Sequence, residues 1–430
     1  MGNIFPKEAP PPVVLVPPLF DRPELATRSR MTESSYDILF SKLARARLFR
    51  EYFEEADQLL GRIMLQPPHD SRVDVTATVR APRSDIAPDN VSGEAIFRFQ
   101  RDWVDPNTFF DVTVSNSDNV LKVRACTFDP VTGLGVFASA PLISNRRVEV
   151  DNFGIIGLRY STNEVSMGAV ASPLASWIST SDNGSVKHAR AWVVGKLGPI
   201  TAGVQYKPDV LGDPEFQSWD DPRNWSVAIE YGTSGKGPLN PSFGFCIEVC
   251  GDYKLIASYY HHLVVQRRVK NPFEEADVVG ITNYIDLGFE FEQRLRESAS
   301  SPTQQTNMQL AGSWQPNKNF LFKAKLGSLN SSLALCFKSW WQPSFTFSFA
   351  VAKDHFSGKP RYGFGVRTEN FGAVSYERAD PNYVMLTPSK THTAEGVMRD
   401  LGKRPMLLED VVSGRPEGLP SELRPLDDVL

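Results

Sequence analysis

Residues 317–369 read NKNFLFKAKLGSLNSSLALCFKSWWQPSFTFSFAVAKDHFSGKPRYGFGVRTE, and their periodicity decides the fold. Phe320, Phe322, Ala324 and Leu326 alternate with Leu321, Lys323 and Lys325. Leu333, Leu335, Phe337 and Trp341 oppose Ser332, Ala334, Cys336 and Lys338. Phe345, Phe347, Phe349 and Val351 oppose Thr346, Ser348, Ala350 and Ala352, and Tyr362, Phe364 and Val366 oppose Arg361, Gly363, Gly365 and Arg367. Successive side chains leave a strand on opposite faces, so a period of two is the strand signal. Gly327-Ser328, Gln342-Pro343 and Ser357-Gly358-Lys359-Pro360 supply the turns between segments. The stretch is an antiparallel meander with one apolar, aromatic face and one face of small, polar and cationic residues.

Two environments suit such a sheet. A soluble sandwich buries the apolar face, whereas a transmembrane barrel turns it to lipid and wets the other. The rest of the chain separates them. Alternation begins at Arg72–Arg80 (RVDVTATVR) and recurs through Ser92–Gln100, Thr108–Ser115, Val120–Phe128 and onward to Met308–Gln315, about eighteen segments in all, each near the roughly 9–11 residues that a tilted strand needs to cross a bilayer. That is too many strands for one sandwich, and no linker divides the series into equal parts. One closed barrel uses every strand and leaves no edge. The expected fold is all-β and transmembrane: a single antiparallel barrel of about 18–19 strands over 72–369.

Before the barrel, residues 1–33 are Pro-rich and predict an irregular arm. Over 34–66, Tyr36, Leu39, Leu43, Ala46, Phe49, Phe53, Ala56, Leu60 and Ile63 follow steps of three and four, which predicts one amphipathic helix at or in the lumen, with Ser34 and Asp37 as its N-terminal cap and Pro67-Pro68 as its stop. After the barrel, 370–430 lose the alternation and predict a Pro- and charge-rich extension outside the membrane, a surface for protein partners.

With 22% charged residues and a net charge of -4, nothing across the composition favours a nucleic-acid partner. No run of apolar residues is long enough for a transmembrane helix. Four scattered cysteines make no disulfide framework and predict no metal site. Nucleophile-elbow, H-E-x-x-H and P-loop patterns are missing, so neither an enzyme nor a cofactor is expected. His261 and His262 are neighbours in a strand and point to opposite faces, so they cannot chelate together.

The helix region and the closing meander resemble the voltage-dependent anion channels, the mitochondrial porins. Tyr36, Asp37-Ile38, Lys42, Ala44-Arg45 and Leu48-Phe49 stand in the order of that family's N-terminal helix, and Tyr362-Gly363-Phe364-Gly365-Val366 resembles its Gly-x-Gly last strand. Through VVQRRVKNPFEE, GITNYIDLGFE and FKSWWQPSFTFS the chain is similar nearly end to end to a plant branch of such outer-membrane proteins, of about 47 kDa. The resemblance implies a 19-strand barrel, a helix near the pore and the mitochondrial outer membrane; apart from the resemblance, the chloroplast outer envelope stands as the alternative location. Two features depart from the family: a long extension follows Glu369, and the Gly-Leu-Lys element after the helix is not evident.

If lipid meets the apolar face, the alternate residues line the lumen. The candidate pore-lining cations are Arg190, Lys196, Lys323, Lys325, Lys338, Arg361 and Arg367 on strands, with Lys42, Arg45 and Arg47 on the helix. Arg98, Lys122 and Arg124 join them, and Asp74, Glu94, Glu230, Glu248, Asp286, Glu290 and Glu292 oppose them. The near balance predicts passive passage of ions or small anionic metabolites with weak anion preference. The alternative is a closed barrel that binds or scaffolds partners at the organelle surface.

Overall fold

The computed structural model describes residues 29–67, 72–82, 91–101, 107–116, 120–143, 154–172, 189–208, 221–233, 241–251, 254–270, 278–294, 306–339 and 343–370, with Val13, Val14, Phe20, Asp21, Asp70, Pro420 and Leu423. Side chains of 266–270 and 278–282 are not described.

Nineteen strands form the wall. They are β1 (Gln58–Leu65), β2 (Val73–Pro82), β3 (Ser92–Gln100), β4 (Phe109–Ser115), β5 (Leu121–Asp129), β6 (Leu134–Ile143), β7 (Ile155–Ser161), β8 (Val165–Ala171), β9 (Arg190–Leu197) and β10 (Ile200–Tyr206). There follow β11 (Trp225–Thr233), β12 (Ser242–Cys250), β13 (Lys254–Lys270), β14 (Val278–Arg294), β15 (Thr306–Gln315), β16 (Phe320–Gly327), β17 (Asn330–Ser339), β18 (Ser344–Asp354) and β19 (Pro360–Asn370). Each pairs antiparallel with its sequence neighbour. Each connection reverses the chain, so an odd strand count brings first and last strands into the same direction. β1 accordingly pairs with β19 in parallel, Leu59 opposite Phe364 through Leu65 opposite Asn370, and this seam closes the barrel. Closure satisfies every strand edge, the condition a sheet must meet inside a bilayer. Val13–Val14 adds a short parallel pairing against Gly280 and Ile281 of β14. Among the described residues, no helix is long and apolar enough to cross a membrane.

The apolar side chains face outward. Leu333, Leu335 and Phe337 on β17, Phe347 and Phe349 on β18, and Phe364 and Val366 on β19 are all exposed, while their alternates Ser332, Ala334, Cys336, Lys338, Thr346, Ser348 and Arg367 are buried. This inverts a soluble fold and matches the expectation for a lipid-facing barrel. The alternation expected for Trp341 lies outside the described residues.

The N-terminal segment differs from one helix over 34–66. It breaks into α1 (Ser35–Ile38), α2 (Lys42–Arg50) and a 3-10 turn at Phe53–Glu55, and Gln58–Leu65 is the first strand of the barrel. In that stretch Leu59, Gly61, Ile63 and Leu65 carry the period of two while Leu60 and Ile63 also continue the helical spacing, so local pattern does not discriminate. Pairing with β19 and β2 does. The break between helices sits at Phe40 and Ser41, whose φ of 62° and 52° are left-handed for residues that carry a Cβ. Such residues persist when their surroundings hold them. Phe40 is buried, and the Ser41 hydroxyl donates to the Glu230 carboxylate. Ser34 caps α1 as expected, accepting from the Asp37 amide at 3.1 Å.

The expected domain limits at 1–33 and 370–430 fall largely outside the described residues. Val13, Val14, Phe20, Asp21 and residues 29–33 of the first and Asn370, Pro420 and Leu423 of the second are described, and Pro420 and Leu423 are buried.

Candidate functional site

The lumen holds residues 29–56, which follow the inner wall in strand order from the start of β4 to β19. Met31 lies against Phe128 and Gly135. The Ser35 hydroxyl bonds that of Ser166 on β8 at 2.5 Å, and Gln205 on β10 donates to Ser34 at 2.8 Å. Lys42 Nζ reaches Glu248 on β12 at 2.7 Å and lies 4.0 Å from the Tyr36 ring centroid. Arg45 reaches Glu290 on β14 at 2.9 Å. Glu55 accepts from Arg367 on β19 and Ser348 on β18.

Two wall glycines mark how closely the segment passes. A Cβ on Gly288 would meet Leu48 and Phe49, and one on Gly363 would collide with the Glu55 carbonyl. The Gly-x-Gly of the last strand is thus a contact surface for the segment, with Glu55 and Ser348 also crowding Gly365.

The wall lysines bind the C-terminal end of α2. Lys323 Nζ donates to the carbonyls of Arg47 at 2.6 Å and Glu51 at 3.0 Å, and Lys325 Nζ to that of Phe49 at 3.3 Å. The last carbonyls of a helix lack intrahelical partners and carry its negative pole, so two ammonium groups there satisfy both demands. Lys338, fully buried, pairs with Glu369 at 2.5 Å and with Asp21 at 3.4 Å. Asp21 also accepts from Thr346 and Tyr52, each at 2.5 Å. Burial alone would raise its carboxyl, but Lys338, Arg367 and those hydroxyls outweigh it and hold the group at about 2.

Of the remaining expected site residues, Arg361 is exposed at the rim, 3.4 Å from Asp57. Arg190 is exposed at the start of β9, and Lys196 is half-buried near its end. Arg47 lines a cavity of about 70 Å³ beside α2, with Lys323, Tyr260, His262 and Asp286. There His262 bonds Asp286 at 2.6 Å, while His261 faces outward against Tyr259. The opposite orientation of the two histidines is the one expected.

Sequence reasoning missed three anchors. Asp21 and Glu55 lie in segments whose path no local pattern reveals. Arg159 occupies an inward position of β7 and is buried. It donates to the carbonyls of Arg30 at 3.0 Å and Glu33 at 2.8 Å, and to the hydroxyls of Ser35 at 2.5 Å and Ser161 at 3.0 Å. Its inward parity in IIGLRYS was the available signal.

A closed barrel that is apolar outside and charged inside is porin architecture. The chain is a porin-like β-barrel. No protein-family model matches it, and no curated protein is significantly similar. Among solved structures, two mutants of the Rh. blastica porin align over 65% of this chain and 91% and 92% of theirs, at 12% and 11% identity, each with a TM-score of 0.35. A structure described as "Asymmetric conductivity of engineered proteins" aligns over 72% of this chain and 97% of its own at 11% identity and the same TM-score of 0.35. Alignments this loose add nothing to the fold that strand pairing already establishes.

Proposed function

We propose that the chain is a channel of the voltage-dependent anion channel type in the mitochondrial outer membrane of a plant, passing ions or small anionic metabolites with weak anion preference. The observation that carries this reading is the closure. Single-chain bacterial outer-membrane barrels have even strand numbers, whereas the mitochondrial channel has 19, and here nineteen strands seal through a parallel seam. The lumenal charge supports weak selectivity. Lys323, Lys325, Lys338, Arg159 and Arg367 on the wall are opposed by Glu230, Glu248, Asp286, Glu290 and Glu369. A pore lined by both signs concentrates neither class of ion strongly.

A second reading, a closed barrel that binds or scaffolds partners, is favoured by one observation: the segment 29–56 is held on the wall by Lys42, Arg45, Lys323, Lys325 and Arg367. Single-channel recording of the refolded chain in a planar bilayer under a KCl gradient separates the two. Discrete steps with reversal slightly toward the anion potential are expected. A silent bilayer, from protein whose circular dichroism shows folded β-structure, rejects the channel in favour of the scaffold.

A further inference from the structure

The C-terminal extension returns to the barrel at one described point. Leu423 is 1% exposed and packs in the apolar cluster that also holds Met31, Phe109, Phe128 and Phe137. Its amide donates to the Pro420 carbonyl at 2.9 Å, so the two residues form a turn. Asn107, fully buried just before β4, holds this turn with its side-chain amide: Nδ2 donates to the Leu423 carbonyl at 3.1 Å. The other end of the same amide, Oδ1, accepts from the Ser29 hydroxyl at 3.1 Å. One side chain therefore joins the start of the lumenal segment to the tail. The geometry of the strands permits this without threading the pore. Connections that follow odd-numbered strands share a rim, so Asn107, between β3 and β4, and Asn370, at the end of β19, lie on the same side.

We propose that the Pro420–Leu423 turn is a latch on the lumenal segment. Leu423 completes the apolar socket around Met31, and Asn107 shares its two hydrogen-bonding ends between the segment and the tail. Withdrawal of the turn removes one wall of that socket and loosens the start of the segment, while the bonds from Arg159, Ser166 and Gln205 and the contacts of α2 further along stay in place. The occupant is the chain's own tail, and anything that grips or cleaves the extension would act on the segment through it. The consequence for conduction rests on the channel reading above; the latch itself does not.

The test is hydrogen–deuterium exchange on the full chain refolded in detergent micelles, comparing wild type with Leu423→Asp and Leu423→Ile. A carboxylate in an apolar socket displaces the turn. Amide exchange across 29–40 is then expected to quicken by about tenfold or more, with the strand amides unchanged and Leu423→Ile close to wild type. Equal exchange across 29–40 in all three proteins overturns the latch. Should Leu423→Asp fail to fold, Leu423→Ala reads the same contact with a smaller increase, and no increase there overturns the proposal equally. Bilayer recording of the same proteins keeps the two readings apart. Faster exchange with silent bilayers upholds the latch and rejects the channel, whereas unchanged exchange with conducting wild type rejects the latch alone.

Discussion

The inner wall of β3–β5 and that of β11–β19 hold their charges in different ways. On β3–β5, Arg98, Asp111 and Arg124 stand directly opposite one another on three adjacent strands. Asp111 takes both guanidinium groups, Arg98 at 2.6 Å and Arg124 at 2.6 Å, and Arg98 and Asp111 are fully buried. Wall pairs with wall. On β11–β19, Glu230, Glu248, Glu290, Lys323, Lys325 and Arg367 take partners from residues 41–55. Here wall pairs with segment, beside wall pairs such as Lys338 with Glu369 and His262 with Asp286. The first arrangement belongs to the barrel and disappears only when the barrel does. The second depends on a segment that could be withdrawn while every strand pair remains.

The sharpest break in this comparison is Asp111→Ala. Removing one partner of a buried pair leaves uncompensated charge, at a cost of about 3–5 kcal/mol. Urea unfolding followed by tryptophan fluorescence is expected to show a loss of that size. A loss under about 1 kcal/mol would mean that the wall ladder is not structural. Lys323→Met attacks the other arc. It removes two charge-assisted bonds to the end of α2, about 2–3 kcal/mol. The loss should appear as faster amide exchange in 42–50 with the strands unaffected. Exchange that quickens equally in β15–β17 would show that segment and wall are one cooperative unit.

Asp21 adds a pH dependence. Its carboxyl is held at about 2, below the ordinary value of 3.8, so the folded state binds the proton less tightly than the unfolded state. The contribution is therefore present above the unfolded value and is lost as pH falls from about 4 through about 2. The shift corresponds to about 2 kcal/mol. The stability difference between wild type and Asp21→Asn should approach that figure at pH 6 and shrink toward zero by pH 2. A difference that stays constant with pH would remove Asp21 from the anchors. The smallest effect belongs to Arg361→Ala. Arg361 and Asp57 are 47% and 58% exposed, and an exposed pair of this kind contributes less than about 1 kcal/mol. A larger loss would show that the rim takes part in holding the segment.

Much of the fold was legible because a strand records its environment locally. The alternation of Leu333, Leu335 and Phe337 with Ala334, Cys336 and Lys338 reports two faces whatever the rest of the chain does, and the number of such segments selects a closed barrel over a sandwich. The first strand escaped because Leu60 and Ile63 continue the helical spacing of the residues before them, while Leu59, Ile63 and Leu65 carry the extended period. The inward cations were legible as residues facing a lumen. Their partners were not: Lys323 meets Arg47 and Glu51, and Arg367 meets Glu55, across more than two hundred residues of sequence.

The sequence by itself determined which side chains meet lipid and which meet the lumen, because a period of two is a property of neighbouring residues. Only the tertiary structure decided that β1 closes against β19, that residues 29–56 follow the wall past Gly288 and Gly363, and that Leu423 and Ser29 share Asn107. Each of these is a contact between residues far apart in the chain. Such contacts are set by where barrel closure brings the surfaces together, a global condition that no local pattern encodes.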